Sequence, residues 1–244
     1  MKRMLLNVNG VDRSVVVDPE KSLADVLREQ LLLTGCKVCC SEGQCGTCTV
    51  IIDSKSKRAC LVPMSKVEEG AKITTIEGIG TAGDLHPLQV AWMANGGAQC
   101  GICTPGFIMS AKVLLDKNSS PTREEVRKWF DVNRNVCRCT GYKQLVDSVM
   151  DAAAVVRGEK KKEELLFEPG ENGSILGSKY RRPSALAKVT GAWDFGADVA
   201  LHMPPDTLRL ALVQSEVSHA NIRASTRLQR KPCPAWQRSS RGKT

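Results

Sequence analysis

The 244 residues are 42% hydrophobic, enough to build cores for two ordinary domains, but only 4% aromatic, so those cores should be mostly aliphatic. The formal charge of +9 invites a nucleic-acid or membrane partner, yet six of the cations lie from Arg227 onward with no acid among them, leaving 29 against 26 and a net of +3. No run approaches the roughly 20 apolar residues of a membrane span, and Met1 to Asn9 lacks the apolar stretch of a secretory signal, which points to a soluble, cytoplasmic chain.

Residues 3 to 18 alternate apolar and polar around Asn9-Gly10, a type I′ turn signal, and predict a β-hairpin. Ser22 and Asp25 form a capping-box pattern ahead of Leu23, Val26 and Leu27, so a helix follows. A second hairpin, Cys48 to Ile52 and Lys57 to Val62, is expected around Asp53-Ser54-Lys55, and Lys72 to Ile76 reads as a last strand. Helical spacing then takes over in Pro87 to Ala94, Gly106 to Leu115 and Gln144 to Val156, where residues 145, 149, 152 and 156 form one stripe. Ser120 as cap, Pro121 in the first turn and Glu124-Glu125 behind it mark a fourth helix. The pattern predicts an α+β chain, a small hairpin-and-helix domain followed by a four-helix bundle.

Residues 158–177 are charged, contain Pro169-Gly170 and Gly173, and read as an exposed connector. Beyond it Thr207 to Gln214 has the alternation of a strand. Residues 178 to 222 should lack packing partners and be poorly ordered.

Eleven cysteines, at 36, 39, 40, 45, 48, 60, 100, 103, 137, 139 and 233, dominate the chemistry. In a reducing compartment such clustering favours ligands over disulfides. Cys40, Cys45, Cys48 and Cys60 are spaced C-x4-C-x2-C-x11-C, and the first three match the plant-type ferredoxin pattern for a 2Fe-2S cluster. Gly43 and Gly46 let the loop fold tightly around it. Structural zinc usually shows two C-x2-4-C knuckles and fits this spacing poorly. Cys100-x2-Cys103 and Cys137-x-Cys139 form a second set, each pair beside a predicted helix end. Cys36 and Cys39 are left over as spare thiols, because using Cys39 for Cys40 would give C-x5-C-x2-C, and Cys233 has no role. His86, before Pro87, reads as helix-entry structure; it, His202 and His219 are assigned to no metal.

Cys40-Ser-Glu-Gly-Gln-Cys45-Gly-Thr-Cys48, Gln99-Cys100-Gly-Ile-Cys103-Thr-Pro-Gly-Phe107 and Asn135-Val-Cys137-Arg-Cys139-Thr-Gly-Tyr142 together resemble the iron-sulfur half of the xanthine oxidase family of molybdenum hydroxylases. The resemblance implies a β-grasp 2Fe-2S domain over residues 1–77 and a four-helix 2Fe-2S-binding domain over 84–157. Ser178 to Pro183, Lys188 to Gly191, Asp194 to Asp198 and Ser218 to Ile222 resemble the opening of the molybdenum-binding part, here 178–226. The layout without an intervening flavin domain is similar to the bacterial molybdenum iron-sulfur aldehyde oxidoreductases.

That resemblance implies oxidation of an aldehyde to a carboxylic acid at a molybdopterin cytosine dinucleotide carrying molybdenum, with electrons leaving through two 2Fe-2S clusters. It implies no flavin, a molybdenum domain in cis when full length, and an external acceptor such as flavodoxin or ferredoxin. It leaves room for a homodimer of the full-length enzyme, and implies neither a nucleic-acid nor a membrane partner. Gln99 and Cys139 occupy the positions that approach the pterin. The molybdenum-site acid and most pterin loops of such enzymes lie far downstream, so these residues by themselves should bind clusters without turning over aldehydes. The family usually has glycine at the position of Cys39, where a left-handed backbone would strain a cysteine by about 1 kcal/mol. The competing readings are the small subunit of a heteromeric xanthine dehydrogenase or CO dehydrogenase type of enzyme, a stand-alone electron-transfer protein, and a zinc module. The resemblance stops where the basic tail, 227–244, begins; a reading frame shifted by one base spells a family-like strand there, so the tail reads as a frameshift near Thr226.

Overall fold

The computed structural model describes residues 1–166, 172, 173, 175, 176, 178, 180–204, 206–208 and 217–221. The expected strand at Thr207 to Gln214, Cys233 and the basic tail lie in whole or in large part outside the described residues.

Strands β1 (Lys2–Val8) and β2 (Val11–Val17) form the first hairpin, with Asn9 and Gly10 both at positive φ as its turn requires. Ser22 then caps a short helix, α1 (Leu23–Asp25), in a closed capping box, and the chain continues as a π-helical turn over Val26–Gln30. A long irregular loop leads to β3 (Thr49–Ile52) and β4 (Lys55–Arg58), and β5 (Lys72–Thr74) completes the sheet, in the order β2-β1-β5-β3-β4. Only β1 and β5 run parallel, which gives the mixed sheet of a β-grasp domain.

The second hairpin departs from expectation. Asp53 and Ser54 alone make its turn, both at positive φ, so β4 starts at Lys55 and ends at Arg58. Buried Ala59 extends the pairing by one bond, its N–H donating to Cys48 O at 3.1 Å, and Val62 N then donates to Ala59 O at 3.3 Å and closes a 3-10 turn over Ala59–Leu61 where a longer strand was predicted.

Four helices follow: α2 (Pro87–Ala94), α3 (Thr104–Lys117), α4 (Arg123–Val132) and α5 (Lys143–Val156). The cap of α4 is Thr122, not Ser120: Thr122 Oγ1 accepts from Glu125 N at 3.2 Å, and Glu125 Oε2 accepts from Thr122 N at 2.7 Å. Pro121 therefore precedes the cap. Of the α5 stripe, Leu145, Val149 and Ala152 are buried while Val156 is exposed at the last turn.

Two cores result, and β3 feeds both through the two-residue period of a strand. Val50 joins Met4, Leu6, Leu27 and Ile73 in a core without aromatics, while Ile51 joins the bundle core. That second core is organised around Trp92, Phe107 and Phe130, with the Phe107 and Phe130 rings edge to face at 4.8 Å. The buried aromatics thus gather in the second core, where aliphatic residues still form the majority, so the expectation of mostly aliphatic cores holds for both.

The chain beyond the connector is ordered further than predicted. Helix α6 (Ala185–Thr190) buries Ala185 and Val189 in the bundle core, and α7 (Gly196–Val199) buries Asp198. These residues find partners on the preceding domains, so residues 185–199 do not behave as an orphaned remnant.

Candidate metal centres

Cys40 and Cys45 sit in the loop between α1 and β3, Cys48 immediately precedes β3, and Cys60 lies in the 3-10 turn that ends the second hairpin. The fold brings all four together. Cys45 hydrogen-bonds Cys40 and lies beside Cys48, which in turn hydrogen-bonds Cys60. The loop turns backbone donors inward: Glu42 N and Gln44 N point at Cys40 Sγ from 3.5 and 3.3 Å. Against the desolvation that raises it, these N–H groups hold the Cys40 thiol down at about 7. Burial instead pushes Cys48 up to about 12.

Two glycines make this loop possible. Gly43 (φ +69°) leaves no room for a β-carbon against Leu61, and a β-carbon on Gly46 (φ +65°) would fall 2.6 Å from Asn135 Nδ2. Cys39 is not among the residues with positive φ; Ser41 takes the left-handed conformation in its place, so the predicted strain at Cys39 is absent. Cys39 is exposed and hydrogen-bonds Cys45. Cys36 is buried with its sulfur 3.8 Å from Cys48 O, and burial raises its thiol well above the ordinary range.

The second set gathers at one end of the bundle. Cys103 is the N-cap of α3, Cys100 precedes it after α2, and Cys137 and Cys139 lie between α4 and α5. Cys139 and Cys100 are 3.4 Å apart and exposed; Cys103 and Cys137 are hydrogen-bonded and buried. The bond from Cys103, reinforced by Thr140 Oγ1 at 3.2 Å, lowers Cys137 to about 5. Gln99, half-buried, stands next to exposed Cys100.

The two loops touch. Val136 donates its N–H to Cys45 O at 3.1 Å, and Arg134 Nη1 reaches Gln44 Oε1 at 2.9 Å. A cavity of about 700 Å³ lies alongside, lined by Gln44, Arg127, Arg134, Asn135 and Tyr142, and none of the eight cysteines faces it.

Each set supplies four free thiols, the all-thiolate ligation that a 2Fe-2S cluster takes. Among the described residues no three His, Cys, Asp or Glu side chains converge on one ion-sized point. His86 is the N-cap of α2, its Nδ1 accepting from Leu88 N at 3.2 Å, and His202 and His219 are exposed.

Residues 6–73 match the 2Fe-2S iron-sulfur cluster binding domain and residues 75–150 the 2Fe-2S binding domain. The nicotine 6-hydroxylase small subunit of Paenarthrobacter nicotinovorans is 45% identical over 147 residues, covering 60% of this chain and 87% of that subunit. The aldehyde oxidoreductase of Megalodesulfovibrio gigas is 59% identical over 223 residues, 91% of this chain but 25% of that protein. The chain belongs to the xanthine oxidase family of molybdenum hydroxylases. Within this family it resembles the solved aldehyde oxidoreductase from Desulfovibrio gigas, with a TM-score of 0.88 at 59% identity over 91% of this chain and 24% of that one. It thus spans about a quarter of the length of those aldehyde oxidoreductases and represents the iron-sulfur part of the family. Among the described residues no helix is long and apolar enough to cross a membrane.

Sequence reasoning missed Arg28, Lys37 and Gln89, which form buried polar contacts with residues beyond the connector. Their partners lie 100 to 170 residues away, and no local pattern announces such pairs.

Proposed function

We propose that this chain is the electron-transfer part of a flavin-free molybdenum enzyme that oxidises aldehydes to carboxylic acids. In that reaction an aldehyde and water give the acid, two protons and two electrons, and the electrons leave singly for an external acceptor of the flavodoxin or ferredoxin class. Cys40, Cys45, Cys48 and Cys60 hold one 2Fe-2S cluster, and Cys100, Cys103, Cys137 and Cys139 hold the other. When bound, each cluster supplies a one-electron relay. The protein's share is to hold the thiolates, to present Glu42 and Gln44 N–H groups to Cys40, and to keep Cys103 and Cys137 out of water.

The observation that carries this reading is the gathering of two four-cysteine sets in loops joined by the Val136 to Cys45 hydrogen bond. The fused architecture is favoured over a separate small subunit because the likeness to aldehyde oxidoreductase covers 91% of this chain, while the likeness to the nicotine 6-hydroxylase small subunit covers 60%. We assign residues 1–77 and 84–157 to the two cluster domains, 158–177 to the connector and 178–226 to the start of the molybdenum part. Gln99 and Cys139, beside the exposed edge of the second set, are the residues that meet a molybdopterin cytosine dinucleotide. These residues by themselves bind clusters and do not oxidise aldehydes.

Visible absorption with iron and sulfide counts tests the proposal. About four irons per chain are expected; a colourless protein holding zinc would overturn it. Aldehyde turnover by the chain alone would overturn the assignment of catalysis to a further domain.

A further inference from the structure

The segment from Lys188 to Asp198 reaches both cysteine loops at once. At one end Lys188 donates from Nζ to Gln99 O at 2.7 Å, beside Cys100. Its aliphatic stem lies against Gly101, where φ is +92° and a β-carbon would fall 2.6 Å from Lys188 Cδ. One residue on, Val189 O accepts from the buried Gln89 Nε2 at 3.0 Å. Gly191 (φ +81°) then crosses Gly35 so closely that a β-carbon would lie 2.8 Å from Gly35 Cα.

At the other end a single carboxylate meets two cations away from water. Asp198 Oδ2 is 2.8 Å from Lys37 Nζ and Asp198 Oδ1 is 2.7 Å from Arg28 Nη2, and both Lys37 and Asp198 are 2% exposed. The remaining donors are spent on the chain that opens the first cysteine loop and on the segment itself. Arg28 Nη1 donates to Thr34 O at 3.2 Å and Cys36 O at 3.0 Å, while Lys37 Nζ also donates to Trp193 O at 2.8 Å. Phe195 N closes the set on Asp198 Oδ2 at 2.9 Å. A buried carboxylate so surrounded is fixed in place, and removing it strands two charges in a medium that cannot solvate them.

We propose that residues 188–198 are a brace that sets the geometry of both cysteine loops, with Asp198 the positioning residue for the loop of Cys40, Cys45 and Cys48, and Lys188 the positioning residue for the loop of Cys100 and Cys103. The start of the family's next domain is thereby a working part of the electron-transfer module, and each end of the brace serves one loop. The proposal rests on the cluster-binding reading for its purpose, but its geometry does not depend on metal.

Thiol mapping on the metal-free full chain separates the two. Cys36 and Cys103 are buried reporters, one for each loop. Asp198→Asn should speed alkylation of Cys36 by roughly tenfold or more and leave Cys103 unchanged, and Lys188→Met should do the reverse. Lys188→Arg, which keeps a donor and a long stem, should protect Cys103 as the parent does. On the cluster-loaded full chain the same variants should alter the electron paramagnetic resonance signal of one reduced cluster each. Wild-type protection of both thiols in both variants overturns the brace, as does equal exposure of both thiols in either variant, which would mean general unfolding. A chain that takes up no iron sinks the cluster reading alone, since the thiol map still decides the brace.

Discussion

Gly106, in the first turn of α3, packs against the carbonyl oxygens of Gly46 and Thr47, and a β-carbon there would lie 2.7 Å from Thr47 O. The bundle helix that Cys103 precedes as N-cap therefore rests on backbone between Cys45 and Cys48. Gly46 O is held from other directions by Thr49 Oγ1 at 2.6 Å and Asn135 Nδ2 at 3.4 Å, so it has little freedom to retreat. Gly106→Ala should cost about 1–3 kcal/mol of overpacking, partly offset by up to about 1 kcal/mol of helix propensity. Urea unfolding should show a net loss; an equal or higher midpoint would mean the carbonyls yield.

The ligand assignment separates two buried cysteines. Cys36 and Cys48 are both buried and neighbours, yet only Cys48 belongs to the spaced set. Cys36→Ala should retain about four irons per chain, whereas Cys48→Ala should fall to about two. Equal iron in both variants would remove Cys48 from the ligand set.

Half-buried His86 caps α2 through Nδ1, which must be unprotonated to accept from Leu88 N. Burial, with Lys112 nearby, lowers it from 6.5 to about 4. The unfolded chain therefore takes up a proton first, so this contribution to stability is complete above pH 6.5 and is lost as the pH falls toward about 4. The loss amounts to up to about 3 kcal/mol. His86→Asn keeps a capping acceptor without the titration. The difference in stability between parent and variant should shift in the variant's favour between pH 6.5 and 4; a constant difference would contradict the depressed value.

Thr122 and Glu125 close the capping box of α4. Thr122→Ala should cost about 1 kcal/mol in thermal or urea unfolding, while Ser120→Ala should cost little, since Ser120 is not the cap.

What the sequence determined by itself is local chemistry. The spacing of Cys40, Cys45 and Cys48, the Asn9-Gly10 turn and the Ser22 cap act over a few residues, where backbone geometry and hydrogen-bond reach leave few alternatives. The shorter β4 and the Thr122 cap were missed because neighbouring residues offered competing signals of similar strength, and packing of Ala59 and pairing with Glu125 chose between them. The meeting of Lys37 with Asp198, 161 positions apart, and the contact of Gly106 with Thr47 belong to the tertiary structure alone. Such contacts depend on how two cores stack and on where the chain returns after the connector, and burial turns an ordinary lysine and aspartate into a fixed pair only once both have left water.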